Sequence, residues 1–305
     1  MREKKVIWQI KDGKRGHENQ SAGLVRALSK LLPIESIPIE LAQEKASWFD
    51  YLLGSRHLFD GLVNPDLIVG AGSGTHATVL TAGRMTKAPT IMLMTPPTGI
   101  RRLFDLCIAP EHDGTKGPNF ITTRGVLNLI ENTNTKAPDK GLLLIGGPSK
   151  HHSWDKEEVI QQITEITESC PNVNWTATTS RRTPATCESE LNAIQASNMQ
   201  LVPVEQTDAD WLPRQLSHAN YVWVTEDSVS MIYEALSSGA KVGLLPVPRK
   251  EKASRVLRGV DHLIAEKQAM PYTQAHCDLS TFPAPPPLNE AERIAKIVVE
   301  RFSWS

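Results

Sequence analysis

A chain of 305 residues, 40% hydrophobic and 22% charged, has the composition of a folded globular protein and not of a disordered or fibrous one, and its length suggests two domains. The 33 basic and 34 acidic side chains cancel to a formal charge of −1, which argues against a protein built to neutralise a nucleic-acid backbone. Four cysteines (Cys107, Cys170, Cys187, Cys277) lie far apart with no CxxC pair, so neither a zinc site nor a disulfide framework is expected.

The chain opens on a strand-like apolar run, 6–10, too short for a secretory h-region, and no stretch reaches the ~18 apolar residues of a membrane span. A cytoplasmic protein is expected, at most peripheral at the inner face of a membrane. After 6–10 come a glycine-bearing turn, a helical pattern over 18–32 and a second apolar run, PIESIPIEL. Strand, turn and helix in that order predict βα units on a parallel sheet. Further strands are predicted at Asp66–Gly70, Thr90–Thr95 and Leu106–Ala109. The segment 47–62, rich in aromatic and leucine side chains beside Arg56 and His57, reads first as a core helix of the leading lobe and second as a contact for a membrane surface or a protein partner.

A polar stretch, KAPDKG (136–141), precedes a new strand-then-glycine start, GLLLIGGPSKHHSW, and the domain boundary is placed there. The second half alternates helices (156–169, 184–197, 210–219, 228–238) with strands (174–178, 199–202, 221–225, 242–246). A proline-rich linker, FPAPPPL, leads to a last amphipathic helix, 289–302, expected to pack back as a brace. The predicted organisation is therefore a leading lobe, 1–137, a second lobe, 138–281, and a linker with bracing helix, 282–305.

Several turns carry chemistry-bearing residues. In DGKRGHENQ (12–20), Lys14, Arg15 and Gly16 precede a helix start that favours anions, and His17 is of the type that takes a proton from an alcohol near neutral pH. It is expected at the mouth of a cleft between the lobes, with a plain turn-capping histidine as the alternative. GAGSGTH offers Gly72, Ser73 and Gly74 for close backbone approach, although it is not a dinucleotide fingerprint. In GGPSKHH, Gly146 and Gly147 would admit a diphosphate, and Ser149 and Lys150 supply a hydroxyl and a cation; the Walker spacing is absent, and the adjacent His151 and His152 diverge too much to suggest metal. TTSRRTP presents Arg181 and Arg182 at a strand end, where guanidinium forks suit phosphate, with Thr183 as helix N-cap. The DAD at 208–210 is read as a cap at Asp210 and not as a metal-binding motif. Finally, VTEDSVSMIYEAL places Glu226, Asp227 and Ser228 at a strand end and Glu234 on the following helix, within reach of a ribose.

Two Rossmann-like lobes with these turns resemble the GT-B architecture of nucleotide-sugar glycosyltransferases. GKRGHENQ, PDLIVGAGSG and TEDSVSMIYEAL are similar to the acceptor loops and donor helix of the peptidoglycan N-acetylglucosaminyltransferase. DGKRGHENQ, IGGPSKHHSW, TTSRRTP and VTEDSVSMIYEAL, in order, resemble the family named for the plant elongated-mitochondria (Elm) fission factor. The chain departs from the former enzyme in lacking its glycine-doubled histidine loop and in carrying Glu226-Asp227 where that enzyme has a basic and hydroxyl pair. A short-chain epimerase is not supported, because GxxGxxG after the first strand and a Tyr-x-x-x-Lys pair are missing.

The resemblance implies a metal-independent transferase, with His17 as base, an acceptor side of Lys14, Arg15, Gly16, Gly72, Ser73 and Gly74, and a donor side of 146–150, Arg181, Arg182, Glu226 to Ser228 and Glu234. A nucleoside-diphosphate sugar is expected as substrate, with an acceptor hydroxyl of the cell envelope, and no further cofactor. The plant relatives' link to a fission dynamin implies the alternative of a non-catalytic recruiting scaffold.

Overall fold

The computed structural model describes residues 4–304 apart from 42–44, 55–58, 134, 195, 251–253, 273–281, 284–285 and 287. The chain divides into two compact units, one of residues 1–129 with 289–305, the other of 130–288.

In the first unit the elements are β1 (Lys5–Lys11), α1 (Arg15–Ser29), β2 (Ile34–Glu40), α2 (Trp48–Leu53), β3 (Leu67–Ala71), α3 (His76–Thr86), β4 (Thr90–Leu93), β5 (Leu106–Pro110) and β6 (Phe120–Thr123). All strands are parallel, in the order β2-β1-β3-β4-β5-β6. Interior strands such as Leu67–Ala71 are buried along their whole length, as a sheet covered on both faces requires. Strand β2 instead alternates in burial and carries Pro38, which is tolerated because β2 is an edge with β1 as its partner.

The second unit holds β7 (Ala137–Leu144), α4 (Lys156–Ser169), β8 (Asn174–Thr178), α5 (Ala185–Ala193), β9 (Met199–Val202), α6 (Trp211–His218), β10 (Ala219–Thr225), α7 (Val229–Ser237), β11 (Lys241–Leu245), α8 (Arg255–Ala265) and β12 (Met270–Pro271). Its sheet is again parallel, ordered β12-β11-β10-β7-β8-β9. Trp175 and Trp223 fill its core.

The last helix, α9 (Glu290–Arg301), belongs to the first unit. Ile294, Ala295 and Val298 join Leu24 and Leu28 of α1 in one apolar core. Glu292 pairs with Lys30 at 2.8 Å, and Arg293 donates to the Thr122 carbonyl at 2.7 Å. This is the predicted brace.

The predicted boundary at 137/138 falls at the start of β7, whereas the units part at 129/130. The reason lies in segment 130–136: Thr135 Oγ1 donates to the Ser217 carbonyl at 2.9 Å and Lys136 donates to that of Leu216, so this polar stretch is part of the second unit. The core-helix reading of segment 47–62 is corrected in part. Among its described residues the helix 48–53 has none buried, whereas Phe59 is buried against Trp8; Arg56 and His57 lie outside the described residues.

Candidate functional site

Each sheet has one place where the strand order reverses, and ligands of open α/β sheets bind at the carboxyl ends of the strands beside it. In the first unit that place lies between β1 and β3, in the second between β7 and β10. The turns DGKRGHENQ and GAGSGTH sit at the first place and GGPSKHH and VTEDS at the second, while TTSRRTP follows β8, the strand next to β7.

After β1 the chain turns through Asp12 and Gly13 into α1. The Asp12 carboxylate, with 6% of its side chain exposed, lies 2.9 Å from His17 Nδ1 across one helical turn. Asp12 Oδ1 also accepts the Lys14 backbone N–H, and Glu18 accepts that of Gly13, so the turn is fixed from both ends. With Asp12 as acceptor, Nδ1 is the donor and the neutral ring carries its lone pair on Nε2. The ring lies against the loop after β3. A Cβ on Gly72 would come within 2.2 Å of His17 Cε1, and the Gly72 φ of 78° is one only glycine adopts easily. A Cβ on Gly74 would meet Asp12 Oδ2 at 2.9 Å. His17, Gly72 and Gly74 are thus brought together around Asp12, a residue the sequence reading passed over although it opens the same motif. Lys14, Arg15, Gly16 and Ser73 are exposed on this rim. His76, at the end of the second motif, is buried against Phe104, and burial lowers its pKa.

In the second unit the expected donors turn inward. The Gly146 N–H donates to Thr225 Oγ1 at 2.8 Å and that of Gly147 to Asp227 Oδ2 at 3.1 Å. Arg182 Nη2 lies 2.8 Å from the same oxygen, while its Nη1 donates to the Gly147 carbonyl at 2.7 Å. Ser149 Oγ accepts the His152 N–H at 3.1 Å within its own turn. Glu226 pairs with Arg249, which also reaches Asp261 at 2.8 Å. Burial raises the Glu226 pKa against the opposing pull of Arg249. These residues do converge, but as a ring that ties β7, β10 and the Arg182 loop together. Arg249 was not foreseen, because nothing local links it to a carboxylate 23 residues earlier.

The outer layer of the ring is open. Arg181 and Lys150 are exposed. Helix α7 has no side-chain cap at Ser228, so its first N–H groups lack partners within the helix. Glu234 lies half-buried farther along α7. Two buried atoms beneath, Asp227 Oδ1 and His152 Nε2, have no hydrogen-bond partner among the described residues. Burial lowers the His152 pKa, with Asp227 opposing the shift.

Two cap expectations are corrected. Pro184, not Thr183, is the N-cap of α5, and Thr183 Oγ1 donates to the Ile145 and Gly146 carbonyls instead. Asp210 occupies the N-cap position of α6 without a side-chain cap bond.

A Rickettsia prowazekii (strain Madrid E) protein, RP120, is 24% identical, with 96% of this chain and 97% of that protein covered. Among solved structures, UDP-GlcNAc 2-epimerase from Neisseria meningitidis bound to UDP-GlcNAc matches at a TM-score of 0.56 and 13% identity, covering 99% of this chain and 100% of that one. Anabaena Alr3699/HepE in complex with UDP and glucose matches at 0.50 and 14% identity, covering 98% and 99%. At these identities the likeness is one of fold, that of GT-B glycosyltransferases and epimerases, and it covers both units. It also shows that lacking short-chain epimerase motifs does not separate this chain from epimerases built on the GT-B fold. The model of the family described as Mitochondrial fission ELM1 matches residues 15–302, and the chain belongs to that family.

Proposed function

We propose that the protein is a glycosyltransferase that moves a sugar from a nucleoside diphosphate to an alcohol, the second unit holding the donor and the first presenting the acceptor. The observation that carries this reading is the Asp12–His17 pair at 2.9 Å, seated against Gly72 beside the strand reversal of the first sheet. His17 Nε2 takes the proton of the acceptor hydroxyl, whose oxygen attacks the anomeric carbon as the bond to the diphosphate breaks. Asp12 holds the ring's orientation and stabilises the imidazolium that forms.

The charge left on the diphosphate is met by Arg181, Lys150 and the open first turn of α7. Glu234 accepts hydrogen bonds from the ribose. The inner ring of Gly146, Gly147, Ser149, Arg182, Glu226 and Asp227 sets the shape of this surface, and the unpartnered Asp227 and His152 atoms are acceptor and ring nitrogen for a bound polar group. Two of the structural neighbours carry UDP or a UDP-sugar, which supports a uridine nucleotide as the first donor to try.

The test incubates the protein with UDP-, GDP-, ADP- and CMP-sugars and extracted cell-envelope acceptors, and reads nucleotide release together with the sugar's configuration. Acceptor-dependent nucleotide release that is lost in His17→Ala, while nucleotide binding persists, supports the reading. Epimerised sugar without release would overturn it in favour of an epimerase. A second reading, a non-catalytic recruiting scaffold, draws on the exposed apolar helix α2. It wins if His17→Ala and Glu234→Ala leave the cellular role intact.

A further inference from the structure

We propose that the amino-terminal edge of the first sheet, opposite the Asp12–His17 pair, docks on an anionic lipid bilayer. All the large hydrophobic side chains that stand exposed among the described residues belong to the first unit. Four of them, Trp48, Phe49, Leu52 and Leu53, come from α2, with Phe49 and Leu53 at 75% and 81% exposure. Leu62 and Val63 lead into β3, and Leu103 leads into β5. The Asp12–His17 pair follows the carboxyl end of β1, which runs parallel to β3 and β5 in the same sheet, so the residues leading into β3 and β5 gather at the other end.

Helix α2 is pinned there from below. Arg84, near the end of α3, donates to the carbonyls of Tyr51 at 2.7 Å and Leu52 at 3.0 Å, and its guanidinium lies over the Tyr51 ring. Positions 48, 49, 52 and 53 fall on one helical face, while Tyr51 turns toward Arg84. A short helix with no buried residue, held by its backbone with its apolar face outward, is a protrusion and not a groove. That shape suits insertion among lipid headgroups better than the flat, packed core of a protein interface.

Beside α2 lies a hollow of about 600 Å³ whose lining includes the apolar Tyr51, Leu103, Phe302 and Trp304 and charges of both signs, Arg84 and Lys87 with Asp66 and Asp105. Lys45, Lys87 and Arg102 are exposed and form no ion pair among the described residues. Of the neighbouring carboxylates, Asp66 is paired with Lys5, Asp50 and Asp105 are hydrogen-bonded to Ser47 and Thr90, and Asp60 is exposed. Aromatic and leucine side chains beside the unpaired Lys45, Lys87 and Arg102 suit an anionic interface, with apolar burial and headgroup attraction acting together.

The test is co-sedimentation of the full chain with phosphatidylcholine vesicles, with and without phosphatidylglycerol, and sedimentation velocity without lipid. The chain should pellet with the anionic vesicles, less so in high salt as the headgroup field is screened. Phe49→Ser with Leu53→Ser should lower the bound fraction about tenfold or more, since both exposed side chains lose their transfer into lipid. Lys87→Glu with Arg102→Glu, which leaves the apolar residues in place, should weaken binding to the anionic vesicles. Pelleting that both pairs of substitutions leave unchanged, or no pelleting at all, overturns the proposal. A lipid-free dimer dispersed by Phe49→Ser and Leu53→Ser overturns it too, because the face then belongs to a second copy.

Discussion

Gly147 and Gly16 were both singled out as candidate-site glycines, yet the structure makes opposite predictions for alanine at the two positions. A Cβ on Gly147 would stand 2.1 Å from the Arg182 carbonyl oxygen, 2.3 Å from its carbon and 2.8 Å from the Thr183 nitrogen. All three are backbone atoms, so no side chain can swing aside and the Arg182 loop itself must move. That loop carries the ion pair to Asp227, whose side chain is fully buried. Overpacking of this kind costs about 1–3 kcal/mol. For a unit of this size each kcal/mol lowers the melting temperature by about 2–4 °C, giving a loss of about 2–12 °C. A Cβ on Gly16 meets nothing within 4 Å in the exposed first turn of α1, so Gly16→Ala should gain about 0.5–1 kcal/mol from the stiffer unfolded chain. Calorimetric melting of the three proteins decides the matter. A wild-type transition in Gly147→Ala, or a destabilised Gly16→Ala, would refute the packing of these two loops.

Asp12→Asn keeps the shape of the turn but removes the charge that orients His17; a hydrogen bond to a charged group is worth about 1.5–3 kcal/mol, so turnover should fall by about 10- to 100-fold. Steady-state kinetics with KM little changed is the expected split, and unchanged turnover contradicts the pair's role. Burial lowers the Lys136 pKa to about 8 from an ordinary value near 10.5. The folded chain therefore binds fewer protons than the unfolded chain across that window, so Lys136 favours folding most above pH 10.5 and that contribution is lost as the pH falls toward 8. Urea titrations at several pH values should show stability rising through this range less steeply in Lys136→Met than in the wild type.

Much of the fold was legible because parallel strands buried on both faces leave continuous apolar runs: Leu67–Ala71 and Leu106–Pro110 both fall within about a residue of expectation. Helix α3 was harder to see, since Thr78, Val79, Thr81 and Gly83 weaken its helical signal, and β6 is a four-residue edge strand. Site positions were legible as turns after strands, but the direction of their side chains was not. Whether Gly147 offers its N–H to a ligand or to Asp227 depends on a contact 80 residues away. Asp12 shows the reverse case, a partner five residues from His17 that helical spacing and the turn after β1 could have revealed. Helix α2 misled because aromatic and leucine content marks burial on average, while here it marks an outward face.

The proposed transfer requires the second unit to hold a nucleoside diphosphate at the carboxyl end of β7 and β10. Isothermal titration of the full chain with UDP, and then with GDP, ADP and CDP, measures this without knowledge of sugar or acceptor. The proposed function predicts saturable binding to at least one of them, weakened about tenfold in Arg181→Ala and in Glu234→Ala through loss of roughly one charge-assisted hydrogen bond each. Absence of binding by all four nucleotides, or affinities that neither substitution changes, would contradict it.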